Sequence, residues 1–582
     1  MERILAMLLV RHWPNLTASA AVLALVLRGI LPSGRSEADT NSVEYIAQLS
    51  AYQRLAGRDS VEPGNPRGPE SQGSTESRPT TVRPIPGAEL FTNGTVRRIR
   101  VDIAPSEVAE LRRDSRKYVP ATVQEDKEAF SKVGVHLKGS TGSFRSIDDK
   151  PGLTLSFGKF TPGQTFHGLS KIHLNNSVED PSYLNENLGG DLFRAAGVPA
   201  PRVAYALVEL NGRSLGLYVL KEGFTEEFLG LHFRQTRGNL YDAGSGRDVN
   251  EALERDAGAG PDDRADLQTL AAAAQDPDVE KRWQRLQQVL DVERFLSFMA
   301  MEVITGHRDG YCLARNNFRV YHDLDTGRML FFPHGMDQLF GRADLPWRPH
   351  MAGLVARALL ETPEGRRRYR ERFTFLFTNV FKVPMLTTRV NQRVAQIRPA
   401  LSRTAARDLE QNAALVKERI VQRQAHLQRQ LSEPESAPLR FENGVAGLRR
   451  WQIADKPSRG KMDQGQTPDG RPALHISTRA DASASWRAKV WVANGRYRFE
   501  GRVRTAGVVP LKYGKNQGAG LRVSGFPSPR PYDLAGDSPW KTVAVEFKVS
   551  VTSEPVELVC ELRARQGEAW FDLESLRLVR LE

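Results

Sequence analysis

Asp309, Asn316, Asn317 and Asp337 fall within one short stretch, residues 306–341, which reads GHRDGYCLARNNFRVYHDLDTGRMLFFPHGMDQLFG. Asp309 lies in a short loop. Residues 318–321 and 329–332 read as strands joined by the turn Asp325-Thr326-Gly327, and Asp337 follows the second strand. Two acids and two amides on a hairpin suit phosphoryl transfer. Mg²⁺ takes oxygen ligands and is commonly held by one or two protein groups plus substrate phosphates. A separate acid positions the attacking hydroxyl. Asp309 is the candidate catalytic acid, and Asp337 with Asn316 or Asn317 is the candidate metal set. On spacing alone, a plain hairpin with acids in its turns fits equally well.

The order of these residues is that of protein kinases: a His-Arg-Asp loop, an amide, then an acid near Phe-Gly. The spacing differs, with Ala314 where the kinase Asn falls and two residues between Asp337 and Phe340. HRDGYCLARNNFRVYHD followed by FFPHGMDQLFG resembles the spore coat protein H (CotH) kinase family of atypical, secretory-type protein kinases. KIHLNNSVEDPSYLNENLGGDLFRAAGVPAPR is similar to that family's αC-like region, and VELNGRSLGLYVLKEGF to its strand pair leading to the hinge. The resemblance runs in consistent order over residues 133–341. Many members carry Trp-Asp-Leu-Asp where this chain has His334-Gly335-Met336-Asp337, so the second acid is kept and the first is glycine.

The resemblance implies an α+β fold with an atypical protein-kinase-like two-lobed domain. It implies ATP with Mg²⁺ or Mn²⁺ as cofactors, and a surface or envelope protein bearing Ser or Thr as acceptor. Residues 139–152, GSTGSFRSIDDKPG, form a glycine- and serine-rich loop whose N–H groups suit phosphate oxygens. Lys138 and Lys150 flank it, and the family pattern favours Lys150 as the phosphate lysine. Glu186 is its expected partner. Lys221-Glu222-Gly223 is expected to be the hinge, which places Glu222 among the nucleotide-binding residues.

The elements that must position these groups are also legible. Residues 176–196 predict a helix with Asp180 as N-cap and Pro181 at its first position. Asn211-Gly212 between apolar runs predicts a hairpin. An apolar helix over 283–305, broken or capped at Asp291, delivers the chain to Asp309. Residues 250–277 are polar and read as an insertion. Thr362-Pro363-Glu364 starts another helix, and a long charged one covers 402–431. Beyond residue 439, alternating segments at 485–492, 496–504, 520–525, 542–549 and 556–564 predict a β-sandwich. With GEAWFDLESLRL it resembles a jelly-roll carbohydrate-binding module. Trp486, Tyr513 and Trp540 are candidates either for stacking on sugars or for its core.

The chain has 582 residues, 40% hydrophobic, with a net charge of +13. That length accommodates more than one domain. The charge suits a nucleotide, an anionic surface polymer or a membrane surface, or is a solvated basic face. No zinc-finger spacing or RNA-binding signature points to nucleic acid. Cys312 and Cys560 fall in different expected domains, which argues against a disulfide framework. Cys312 reads as a packed thiol, or with His307 as a nucleophile. The expected division is a signal peptide or signal anchor at 1–31, a Pro/Gly/Ser-rich linker at 32–87, the kinase-like domain at 88–433 and the sandwich at 437–582. A basic start before the apolar run at 16–27 implies a secreted or envelope-associated protein, with membrane anchoring open. Three other functions fit parts of the pattern. Ala314 and Gly335 suit a nucleotide-binding pseudokinase or scaffold. The sandwich suits a glycan-binding adhesin. His334, Asp337 and His350 suit a metal-dependent phosphohydrolase.

Overall fold

Seven strands between residues 97 and 222 close a barrel. The chain was analysed as a computed structural model, which describes residues 85–581 except 93, 245, 433–438, 468, 515–516, 527–533 and 550–554. The expected signal or anchor and nearly all of the linker lie outside these residues. Helix α1 (Ala88–Thr92) precedes β1 (Arg97–Ile103), α2 (Pro105–Arg113), β2 (Val119–Glu125), β3 (Glu128–Lys138), β4 (Gly152–Ser156) and β5 (Lys171–Asn175). Helix α3 (Asn185–Ala195), β6 (Val203–Leu210) and β7 (Arg213–Glu222) follow. The strands close in the order β1-β2-β3-β4-β5-β7-β6, and β1 runs parallel to β6. Val101, Val123, Val135, Leu155, Leu174 and Leu220 meet in one core. Each such side chain contributes about 1.5–3 kcal/mol by leaving water. Asn211 and Gly212 turn β6 into β7 with φ of 49° and 77°, as a two-residue hairpin with both central residues left-handed requires.

Helix α3 starts at Asn185 rather than Pro181. Tyr183 takes φ 59°, and a left-handed residue interrupts a right-handed helix. Leu184, not Asp180, is the N-cap residue, and Asp180 contributes from five residues back by accepting the Asn185 N–H at its Oδ2, 2.9 Å.

After the barrel come α4 (Glu226–Gly230), β8 (Leu240–Asp242), β9 (Glu254–Ala257), α5 (Ala265–Ala274), α6 (Val279–Val289), α7 (Val292–Thr305) and α8 (Tyr311–Ala314). The hairpin of β10 (Phe318–Asp323) and β11 (Arg328–Pro333) then extends a sheet in the order β11-β10-β8-β9. Four more helices complete this part: α9 (Leu354–Glu361), α10 (Pro363–Asn379), α11 (Val383–Ile397) and α12 (Arg403–Ser432). Residues 250–277 are not a loose insertion. They supply β9 and α5, whose Leu267, Leu270, Ala271 and Ala274 are buried in the helical core. These residues follow helical spacing, but alanines carry a weak apolar signal beside so many Asp and Gly. Asp291 divides the expected long helix by capping α7, its carboxylate accepting the Arg294 N–H at 3.0 Å. Among the described residues no helix is long and apolar enough to cross a membrane.

From Val445 onward the described chain is all β. Ten strands form one antiparallel sheet system around a core that includes Trp486, Tyr497, Phe499, Cys560 and Phe571. The strands Gly495–Pro510 and Val556–Asp572 are much longer than expected. Register shifts where they pair let them bend through the turn residues that suggested a break. Trp486 is core, with its Nε1–H donated to the His475 carbonyl at 3.2 Å, so it cannot stack on a sugar. Trp540 is half-buried and bonds Asp469, whereas Tyr513 is 61% exposed.

Candidate active site

Lys221 ends β7, and its ammonium turns inward. It donates to Glu186 of α3 at 3.1 Å and 2.9 Å, with Lys221 0% and Glu186 2% exposed. Lys138 ends β3 and donates to the Asn175 side-chain oxygen Oδ1, and the Asn175 side-chain amide donates to Glu186 at 3.2 Å. Two lysines thus converge on one carboxylate, one directly and one through Asn175. Burial, then Lys221, lowers Lys138 to about 7. Burial, then Lys221, Arg319 and Lys138, holds His334 well below the usual imidazole value, with its Nδ1 3.4 Å from the Lys221 nitrogen. His173 is lowered in the same way, by burial and then Lys138, Lys171 and Lys221. Burial and neighbouring cations together disfavour the charged forms of Lys138, His334 and His173, which is the electrostatic setting a bound polyanion would relieve.

That crowding has a measurable consequence. With its ammonium lowered to about 7, Lys138 is expected to lose charge as the pH rises toward 8, and a bound triphosphate to restore it. ATP binding in EDTA is therefore expected to take up protons, read by calorimetry in buffers of different ionisation enthalpy. Lys138→Met should reduce the uptake. Equal uptake by that variant would assign the proton elsewhere.

Asp309 is reached through α7. This helix is buried along nearly its whole length and ends at Gly306, whose φ of 66° turns the chain outward. The side-chain amides of Asn316 and Asn317 donate to Asp309 Oδ2 at 3.0 Å and 2.7 Å. Asp337 sits in a single helical turn after β11, and its backbone carbonyl accepts the Asn185 amide at 2.8 Å, which ties it to α3. Burial, then Glu186 and Glu179, pushes its carboxyl up to about 7. Gly142, in the glycine-rich loop, lies against Glu179, and Asn176 holds that loop through the Ser143 and Lys150 carbonyls. A buried carboxyl with Glu186 and Glu179 beside it is a place a cation would stabilise. Among the described residues no group of three or more His, Cys, Asp or Glu side chains could hold a metal. A metal at Asp337 would therefore need amide and phosphate oxygens, as Mg²⁺ readily accepts. The phosphohydrolase constellation of His334, Asp337 and His350 does not form.

Gly335 has φ 52°, and a Cβ there would fall 2.5 Å from Asn317 Oδ1. The acid expected at this position from the family pattern would displace the amide that holds Asp309. The two acid-bearing loops are joined directly. His334 N–H donates to the Asn317 carbonyl at 2.9 Å, Phe340 N–H to Thr305 at 2.7 Å, and His307 Nε2–H to Gly335 at 3.0 Å.

Several expectations need correction. Lys150 does not meet Glu186. Its ammonium bonds the Tyr183 hydroxyl at 3.0 Å and lies 5.1 Å from the Tyr183 and Tyr218 ring centres. Glu222 faces away from the lysines, since successive strand residues point to opposite faces. Arg202 grips it from its Nε at 3.0 Å and from its backbone N–H at 3.1 Å. Lys221 and Glu222 are the last residues of β7, not a hinge beyond it. Cys312 is no nucleophile, because burial and then Glu302 push its thiol well up. Its expected partner His307 lies 3.5 Å from Glu302 instead. Burial alone would lower His307, but Glu302 holds it above its ordinary value.

The pairing of Lys221 with Glu186 and the role of Glu302 were not anticipated. Glu302 is fully buried and accepts the N–H groups of Tyr311 and Cys312 at 2.9 Å and 2.7 Å, fixing the turn after Asp309. A charged residue inside an otherwise apolar helix was the available sign of it.

Comparison with known proteins places the chain in a family. The family model described as CotH kinase protein matches residues 135–430, about half of the 582-residue chain. The chain belongs to the CotH kinase family. It is 24% identical over 327 residues to inner spore coat protein H of Bacillus subtilis, covering 51% of this chain and 85% of that protein. It is 25% identical over 297 residues to invasin CotH2 of Rhizopus delemar, covering 45% of this chain and about half, 49%, of the invasin. Among solved structures, the Helicobacter pylori proinflammatory kinase CtkA aligns at 7% identity over 50% of this chain and 96% of its own, with a TM-score of 0.25, too low to carry fold or function. The CotH match contains the lysine–glutamate pair, both acids and all of α7 through α11.

Proposed function

We propose that this CotH-type kinase transfers the γ-phosphoryl group of ATP to a Ser or Thr hydroxyl of a surface or envelope protein. The observation that carries the reading is the buried Lys221–Glu186 pair beside Asp337, with Asp309 held by two amides. Lys221 and Lys138 would bind phosphate oxygens. Both amides use Asp309 Oδ2, so Oδ1 would meet the acceptor hydroxyl and take its proton as the new O–P bond forms and the bond to ADP breaks. Mg²⁺ or Mn²⁺, held by Asp337 with the oxygen of Asn316 or Asn317, would supply charge neutralisation at the phosphates. The envelope setting is supported by the spore coat and invasin relatives. Binding of a glycan by the C-terminal β part is a separate proposal, for which half-buried Trp540 is the remaining candidate of the original three with a held geometry.

The nucleotide-binding scaffold is the second reading, favoured by Gly335 and Ala314. Labelled ATP with Mg²⁺ or Mn²⁺ separates the two: protein labelling supports transfer, and binding without labelling supports the scaffold. Every proposed catalytic group precedes Ser432, so a chain ending near Pro434 is expected to keep autophosphorylation. Loss of labelling in a folded truncation would make the β part a component of the catalytic unit.

A further inference from the structure

Arg423 lies on α12, more than eighty residues beyond Asp337 in sequence, and is 0% exposed. A buried guanidinium is costly unless its donors are satisfied. Here all the hydrogen bonds run to backbone carbonyls of two segments. Its Nε donates to Ile304 at 3.1 Å and one terminal nitrogen to Val303 at 2.7 Å. The other terminal nitrogen donates to Ala343 at 3.0 Å and also to Leu345. Val303 and Ile304 belong to the last turn of α7, where carbonyls lack their i+4 helical partners and the helix dipole favours a cation, although the Val303 carbonyl also accepts the Gly306 N–H at 3.1 Å. Ala343 and Leu345 follow directly from the Asp337 turn. Gln430, two turns further along α12, accepts the Trp347 N–H at 2.8 Å. One helix therefore grips the root of the Asp309 loop and the exit of the Asp337 loop.

We propose that Arg423 is a positioning residue, one that fixes the Asp309-bearing and Asp337-bearing loops relative to each other. In many kinases the segment after the metal-binding acid becomes ordered only when a phosphate recruits an arginine. Here a buried arginine already holds the segment after Asp337, through the Ala343 and Leu345 carbonyls. The segment is thereby set for catalysis without prior modification. Lysine cannot substitute, because a compact ammonium cannot span carbonyls on two separate segments as the planar guanidinium does. The function assigned to Arg423 rests on the kinase reading; the loop-fixing itself does not.

The test compares Arg423→Lys with Arg282→Lys in the full chain. Arg282 is also buried in the helical part, bonding the Asp276 carbonyl at 2.7 Å, but touches neither loop. At matched melting temperatures, Arg423→Lys is expected to lower kcat roughly tenfold or more with KM for Mg·ATP within about twofold, and Arg282→Lys to leave both near wild type. Hydrogen exchange at the Phe340 and Trp347 amides should accelerate in Arg423→Lys alone. Equal kcat in the two variants would overturn the positioning role. If the wild type transfers no phosphate, the kinase reading fails and exchange alone decides: faster exchange sustains the loop-fixing, and unchanged exchange overturns it.

Discussion

Asp309→Asn is expected to lower phosphate transfer by roughly 10²–10⁴-fold, the range for loss of general-base help, with little change in Mg·ATP affinity. The carboxylate is held by Asn316 and Asn317, and neither Lys221 nor Lys138 bonds it. An interaction made only in the transition state lowers kcat and kcat/KM together. Asp337→Asn should behave differently, weakening metal-dependent nucleotide binding and abolishing transfer. Titration of Mg·ATP alongside phosphate incorporation distinguishes them. Normal binding and labelling by Asp337→Asn would remove Asp337 from the site.

Lys221→Met is expected to cost about 3–5 kcal/mol in stability, because it leaves the Glu186 carboxylate buried without its direct partner. Transfer should be lost with it. Lys221→Met combined with Glu186→Gln removes both charges and should recover most of the melting temperature, but none of the transfer. Recovery of both would show that the pair is structural. Recovery of stability alone is the outcome expected of a phosphate lysine held by its glutamate. Thermal unfolding and labelling of the three proteins decide between them.

The sequence made some of this site readable and hid the rest for identifiable reasons. The β10–β11 hairpin, the Asn211-Gly212 turn and the Asp291 cap each depend on neighbours a few residues away, so local chemistry revealed them. The phosphate lysine did not yield to that approach. Lys150 follows the glycine-rich loop and looked apt, but it packs on Tyr183 and Tyr218. Which lysine reaches Glu186 depends on the β5–β7 pairing, where Asn175 stands opposite Val219 and Ile172 opposite Glu222. No local pattern reports that register. Lys221 and Glu222 differ by one position and face opposite sides, so taking both as a hinge lost the distinction. Arg423 was less legible still: in a long charged helix its burial comes from packing against the end of α7 and the segment at 343–345, both distant in sequence.

A structure with Mg²⁺ and a non-hydrolysable ATP analogue tests the central claim most directly. The expected result places phosphate oxygens within hydrogen-bond reach of the Lys221 and Lys138 ammonium groups, the metal on Asp337, and the γ-phosphate facing Asp309. A nucleotide bound elsewhere, or phosphates that leave the Lys221–Glu186 pair untouched, would contradict it.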